Sequence, residues 1–329
     1  MGGQYNQEVL PAVLDPAVRL RHLSAFVEVA RAGSLVRAAR TLHVTQPAVS
    51  KTIRELEMLL EVELFDRSRR GAALTRFGEI FLRHAEAGLL SFREGARSIQ
   101  EAKAPGALPL RIGALPTVSA RLMPLAVKRF LAEGLGAVPR IVTGPNAFLM
   151  GQLREGALDI VIGRMAEPHE MDGFIFEPLY SEELCFAVRP GHPLLAERPF
   201  DPSRIVEHEV LMPPPGSVIR PTVDRLFLAS GIARPQRTIE TVSLAFGRSY
   251  LRVSDAVWII SEGVVEADVA EGTLARLPMD TSQTLGAVGV TRRRTAQMTA
   301  ALEIFLSEVR GSAAALAGHE TAAPRLARS

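Results

Sequence analysis

Cysteine is almost missing from this chain: Cys185 stands alone among 329 residues. One thiol excludes an internal disulfide framework and a cysteine-based zinc site. Long apolar runs are missing too. Nothing approaches the roughly eighteen consecutive apolar residues of a membrane span, and no charged-then-apolar signal opens the chain. A cytoplasmic protein with no membrane partner is expected. Net charge is small, only +2, so the whole molecule is not a polycation. Trp258 is the only tryptophan, and its place in an apolar run points to core packing. The seven histidines are scattered, and neither GxSxG nor a GxxxxGK phosphate loop occurs. With no nucleophile–base pair and no metal cluster in view, neither an enzyme nor a cofactor or metal is expected.

What is present suits a soluble protein of two or three domains, 47% apolar and 22% charged. Its charge is uneven. Val18 to Phe77 hold eleven Lys/Arg against six Asp/Glu, leaving the remainder slightly acidic. A local basic surplus is what contact with phosphates requires.

Ser34–Leu60 explains that surplus. Leu35, Ala38, Ala39 and Leu42 repeat at helical spacing behind Ser34, a candidate N-cap. His43-Val44-Thr45 makes a corner. Thr45 is the next candidate cap, and Pro47 sits in the first turn, where a missing N–H is harmless. Val49, Ile53, Leu56 and Leu60 face inward, leaving Gln46, Pro47, Ser50, Lys51 and Arg54 on an outer face that suits a major groove. Leu23, Phe26, Val27 and Ala30 form a support helix upstream. Downstream, two short strands flank Ser68-Arg69-Arg70-Gly71, a hairpin with a basic tip. The whole is a winged helix-turn-helix.

Gly33-Ser34, Ala38-Ala39, Leu42, Gln46-Pro47-Ala48-Val49-Ser50, Ile53, Leu56-Glu57, Leu64-Phe65-Asp66-Arg67, Leu74-Thr75 and Gly78 resemble the amino-terminal signature of LysR-type transcriptional regulators. Glu61-Val62 departs from the family's usual Gly-Val, which predicts a slightly strained helix end.

Six regions are expected along the chain. Residues 1–17 read as a mobile leader and 18–76 as the winged domain. Residues 77–104 carry a dimerisation helix, on which Leu82, Ala85, Leu89, Phe92, Ala96 and Ile99 form a heptad seam. Pro105-Gly106 and Pro109 break that helix. From there to residue 310 strands and helices alternate, which predicts α/β lobes with mostly parallel sheets. Lobe 1 is placed at about 108–163 and 287–310, lobe 2 at about 164–286, and a disordered tail at 311–329.

The two lobes resemble the family's periplasmic-binding-protein-like (type 2) effector domain. Ligands of such lobes sit beyond the carboxyl ends of the strands. Pro116, Thr117, Val118 and Ser119 follow the first strand and Asn146 follows the second, while Ser217, Val218 and Arg220 belong to a proline-rich turn in the second lobe. Hydroxyls, backbone N–H groups and an arginine fork suit a carboxylate, so the expected effector is a small organic anion. For each hydroxyl ordinary N-capping is an equal reading. Arg164 and Arg248 are expected to be surface or hinge charges.

Glu240-Thr241-Val242-Ser243, Ser254–Ser261, Gly263-Val264-Val265 and Leu277–Asp280 resemble the PcaQ-like subgroup, which controls protocatechuate catabolism. That resemblance implies an aromatic-acid catabolite such as a carboxymuconate as inducer. Regulators of sugar uptake genes are the alternative. A solute-binding protein or enzyme on the same two-lobed fold is the reading from another class, and neither would need the winged domain. The family further implies a homodimer assembling to a homotetramer on double-stranded promoter DNA, with RNA polymerase as a further partner. Gln46, Pro47, Ser50 and Lys51 would meet base edges, Ser34, Arg54 and Thr75 phosphates, and Arg67 with Arg69 or Arg70 the minor groove.

Overall fold

The computed structural model describes residues 16–66, 71–103, 109–296 and 298–322. It divides into two units, Met1–Ala104 and Pro105–Ser329.

The first unit runs α1 (Leu20–Ala32), α2 (Leu35–Thr41), α3 (Gln46–Leu60), β1 (Phe65–Asp66), β2 (Ala73–Leu74) and α4 (Arg76–Lys103). Local chemistry sets most of these bounds. The Ser34 hydroxyl accepts the Arg37 N–H at 3.5 Å and starts α2. His43 turns the corner in the left-handed region, φ +56°. Thr45 precedes α3 without a side-chain cap bond. Glu61 closes α3 at φ +54°, the strained end expected where the family usually has glycine. Ala38 and Ala39 are small enough for α2 to press against its neighbours, and both are buried. Phe26 is fully buried, its ring 5.4 Å from Phe65 and 5.3 Å from Phe81. The strands β1 and β2 pair antiparallel, Phe65 opposite Leu74. Arg67, Arg69 and Arg70 of the expected hairpin tip lie outside the described residues, as do residues 1–15 of the expected leader.

One buried carboxylate fastens the wing to α3. Glu57 Oε1 accepts the backbone N–H of Leu64 at 2.9 Å and of Phe65 at 3.2 Å. The expected seam on α4 divides. Ala85 and Leu89 are buried and Leu82 partly so, in the core of this unit, whereas Phe92, Ala96 and Ile99 are exposed. The first half of α4 packs on α1, so only the farther half of the expected seam is open to a partner helix.

The second unit runs β3 (Pro109–Ala114), α5 (Pro116–Ala120), α6 (Leu122–Ala132), β4 (Val138–Thr143), α7 (Asn146–Arg154), β5 (Ile160–Arg164), β6 (Phe174–Glu182) and β7 (Leu184–Val188). It continues with β8 (Val210–Met212), α8 (Arg220–Ala229), β9 (Thr238–Glu240), α9 (Leu244–Leu251), β10 (Val257–Ser261), α10 (Glu262–Ala270), β11 (Ala275–Arg276), β12 (Gly286–Arg293) and α11 (Ala300–Ala322). Lobe 1 holds the sheet β4-β3-β5-β12-β6 and lobe 2 the sheet β11-β7-β10-β8-β9. Both have a parallel half built by strand–helix–strand crossovers. The other half is antiparallel, β12 against β5 and β6, and β10 and β11 against β7. The sheets are therefore mixed where mostly parallel ones were expected.

The first crossing lies at Glu182–Leu184, not at Gly163. The chain leaves β5 but stays in lobe 1, because β6 pairs with β12 along its whole length. The return crossing is at Thr284–Gly286. The tail expected to be disordered from 311 is helical through Ala322, with Ala313 buried in the lobe 1 core.

Removing the Glu57 carboxylate orphans two backbone N–H groups beside the wing. Glu57→Ala should lower the stability of the first unit by about 2–4 kcal/mol in a denaturant titration, with the melting of the second unit unchanged.

Candidate functional site

The outer face of α3 is what the helical spacing predicts. Gln46, Pro47, Lys51 and Arg54 are exposed and Ser50 half-buried. Arg54 Nε donates to the Ser50 carbonyl at 3.3 Å, which folds its stem along the helix. Thr75 is held from both sides. Its hydroxyl donates to the Glu63 carbonyl at 2.7 Å and accepts the Gly78 N–H at 3.1 Å, so it caps α4 and ties that helix to the wing.

In the second unit a cavity of about 400 Å³ opens between the lobes. Lobe 1 supplies Thr117, Asn146 and Arg164, and lobe 2 supplies Ser217, Val218 and Thr241 among others. That size is within the range of small-ligand sites. The loop after β3 reaches the cavity because β5 carries glycine beneath it: a Cβ on Gly163 would collide with the Leu115 side chain. Leu115 N–H also bonds the Ile162 carbonyl at 2.9 Å, which carries Pro116 and Thr117 over the strand end. Asn146 opens α7, is buried, and donates to Glu170 Oε2 at 3.2 Å.

Arg164 ends β5 at the cavity wall, its side chain 7% exposed. Nη1 donates to the Thr284 carbonyl at 3.1 Å and Nη2 to the Glu182 carbonyl at 2.5 Å. Nε lies 4.0 Å from Glu182 Oε1. Burial pulls this guanidinium below its ordinary range, opposed chiefly by the charge of Glu182. Arginine keeps its proton through such a shift, so the cleft has a fixed positive charge in its wall.

Residues 20–79 match the family described as bacterial regulatory helix-turn-helix protein, lysR family, and residues 105–314 match the LysR substrate binding domain. The chain belongs to the LysR family of transcriptional regulators. Over 304 residues it is 51% identical to the HTH-type transcriptional regulator PcaQ of Agrobacterium fabrum, covering 92% of this chain and 98% of that protein. It is 36% identical over 301 residues to the uncharacterized HTH-type transcriptional regulator YdcI of Escherichia coli, with the same coverage. Among solved structures, a hydrogen peroxide-bound mutant of Corynebacterium glutamicum OxyR matches with a TM-score of 0.53 at 23% identity, covering 92% of this chain and 96% of that one. That likeness concerns the fold. The protein is thus a DNA-binding transcriptional regulator, of a family of regulators and not of enzymes.

Within this LysR-type regulator the expected effector residues separate. Pro116, Thr117, Asn146, Ser217 and Val218 line the cavity. Val118 and Ser119 do not: Val118 is buried in the lobe 1 core, and the Ser119 hydroxyl donates back to the Leu115 carbonyl at 3.1 Å. Arg220 is the larger correction. It points away from the cleft, where Nε bonds Asp224 at 2.9 Å and Nη1 bonds Glu240 and the Pro213 carbonyl at 3.0 and 2.9 Å. Asp224 is one helical turn along α8 and Glu240 ends the neighbouring strand β9, so the guanidinium staples helix to sheet. The cleft's arginine is Arg164, expected from the sequence to be a surface or hinge charge. Its place at the carboxyl end of a strand is the signal that could have found it. Arg248, expected to be a surface or hinge charge, is part-buried within lobe 2, bonding Asp268 and the Val264 carbonyl. Trp258 is buried in a lobe 2 core.

Two outcomes follow from these placements. Arg220→Ala should lower the stability of the second unit by about 1 kcal/mol, since its partners are half exposed. It should leave any ligand-induced rise in melting temperature intact. Cys185 is buried inside β7, and burial pushes its thiol up to about 12. A thiol-specific disulfide reagent at about pH 8 should therefore label the protein only after unfolding.

Proposed function

We propose that this regulator responds to a small organic anion held between its lobes, an aromatic-acid catabolite such as a carboxymuconate. The observation that carries this reading is the Arg164 guanidinium in the cavity wall. Thr117 and Ser217 add hydroxyls from opposite lobes, and Val218, Leu244 and Ile259 add apolar walls suited to a flat unsaturated chain. The 51% identity to PcaQ supports the same assignment. Hydroxyls alone would serve a sugar equally well. A buried cation gains most from a carboxylate.

On the DNA side, Gln46, Pro47, Ser50 and Lys51 meet base edges in the major groove, with Ser34 and Arg54 at phosphates. The exposed residues Phe92 and Ile99 of α4 pair in a dimer, and dimers assemble to tetramers on a promoter whose half-sites lie about 34 Å apart or a multiple of that. The protein works in the cytoplasm, where its DNA is, and as a regulator without a catalytic step. The effector shifts lobe closure only by binding one arrangement more tightly than the other.

Thermal melting against protocatechuate, carboxymuconate, muconate, benzoates and sugars tests the effector. A ligand at 100 times its dissociation constant adds about 2.7 kcal/mol to the folded state. The expected result is a rise with a di- or tricarboxylate that is lost in Arg164→Met and reduced in Thr117→Val. A rise with sugars alone, or one unchanged by Arg164→Met, would overturn the reading. For the DNA face, Gln46→Ala should relax sequence preference by about 1–3 kcal/mol at one base position while leaving the salt dependence of binding unchanged.

A further inference from the structure

Two glutamates on α3, two residues apart, have opposite surroundings. Glu57 is 7% exposed and accepts two short hydrogen bonds from the wing. Glu55 stands at the rim of the outer face with its side chain 30% exposed, and three nitrogen groups surround it loosely. Lys51 Nζ lies 3.8 Å from its carboxylate, Arg21 Nη2 3.7 Å and His22 Nε2 3.4 Å. Each separation exceeds that of a well-formed charge-assisted bond. The His22 ring is buried and accepts the Arg19 N–H on Nδ1 at 3.1 Å, so in the neutral ring Nε2 carries the hydrogen, facing Glu55 without a well-aligned bond.

The pairs with Lys51 and Arg21 add little to folding. Lys51 is 76% exposed and Arg21 59%, and exposed pairs of this kind contribute little stability. They matter more when DNA arrives. Lys51, which meets a base edge at a cognate site, falls to the phosphates on any other sequence, Arg21 beside it is drawn to them as well, and the Glu55 carboxylate competes for both. Binding to DNA of any sequence rests on such phosphate neutralisation, whereas discrimination rests on base-edge contacts. A carboxylate placed beside the cations, but not over Gln46 and Pro47 at the start of α3, weakens the first term more than the second.

We infer that Glu55 is a specificity-determining residue: its carboxylate opposes Lys51 of the recognition face and Arg21 of α1 beside it, and so holds down affinity for non-cognate DNA. The inference rests on the assignment of the outer face of α3 to DNA. His22 serves as a positioning residue, keeping the carboxylate at the rim from its buried side.

The test uses the full chain and two duplexes. One is selected by the wild-type protein from a random pool, and the other is a shuffled duplex of the same composition. Binding is followed by fluorescence anisotropy between about 50 and 200 mM salt. Glu55→Gln, close in shape to the native residue, should bind the shuffled duplex several-fold more tightly, with a salt slope steeper by up to about one. The selected duplex should gain less, so the ratio of the two affinities falls. Adding Lys51→Gln to Glu55→Gln should remove most of that gain. Equal tightening on both duplexes, weaker binding to both, or an unchanged slope would overturn the inference. Lys51→Gln alone separates the two levels. If it leaves affinity and slope unchanged, the α3 face is not at the DNA and both readings fall. If it weakens binding while Glu55→Gln does nothing, only the role of Glu55 falls.

Discussion

Both passages between the lobes of the effector domain run past the guanidinium of Arg164, which bonds the carbonyl of Glu182 on one and of Thr284 on the other. A buried charge is tolerated only where hydrogen bonds replace its lost water. Here the replacements are backbone atoms of the two crossings, so keeping the charge and keeping the crossings in place are one requirement. Gly286 belongs to it as well: a Cβ there would meet Arg164 Nη1 at 2.5 Å. The same side chain faces the interlobe cavity. A ligand held there, as proposed, would act on the atoms that join the lobes.

The DNA-binding unit solves a different problem, presenting a short helix rigidly with few residues. Its corner and its helix end both use left-handed backbone at non-glycine residues, His43 and Glu61. Such positions persist only when the surroundings hold them. The buried carboxylate of Glu57, the Phe26–Phe65–Phe81 cluster and the cap formed by Thr75 supply that hold, joining α1, α3, the wing and α4. The outer face of α3, with Gln46, Lys51 and Arg54 exposed, stands outside this packing.

Features written in neighbouring residues were legible from the sequence. The Ser34 cap, the apolar spacing of α2 and α3, the corner at His43 and the strained end at Glu61 each depend on residues within a turn or two of one another. The cleft was legible in part for the same reason. Loops after strands line it in any domain of this architecture, so Thr117, Asn146, Ser217 and Val218 could be named from strand–turn–helix order alone. Nothing local distinguishes the extra strand β6, whose partner β12 lies more than a hundred residues on, and the sequence therefore puts the crossing too early.

The two arginines mark the boundary most clearly. Residue spacing could put Arg220 at a helix start and Arg164 at a strand end, and could supply the fold class, the exposed outer face of α3 and the polar loops of the cleft. Which guanidinium enters the cavity depends on what else reaches it. Asp224 and Glu240 converge on Arg220 from α8 and β9 at hydrogen-bond distance, while Arg164 bonds two carbonyls, with the Glu182 carboxylate farther off at 4.0 Å, at the wall of an open space. Charge pairing between distant segments is a property of packing, since Coulomb attraction and desolvation act through space and not along the chain. The sequence alone determined which chemistries were available, and the tertiary structure decided which of them reach the cavity and which are taken up in packing.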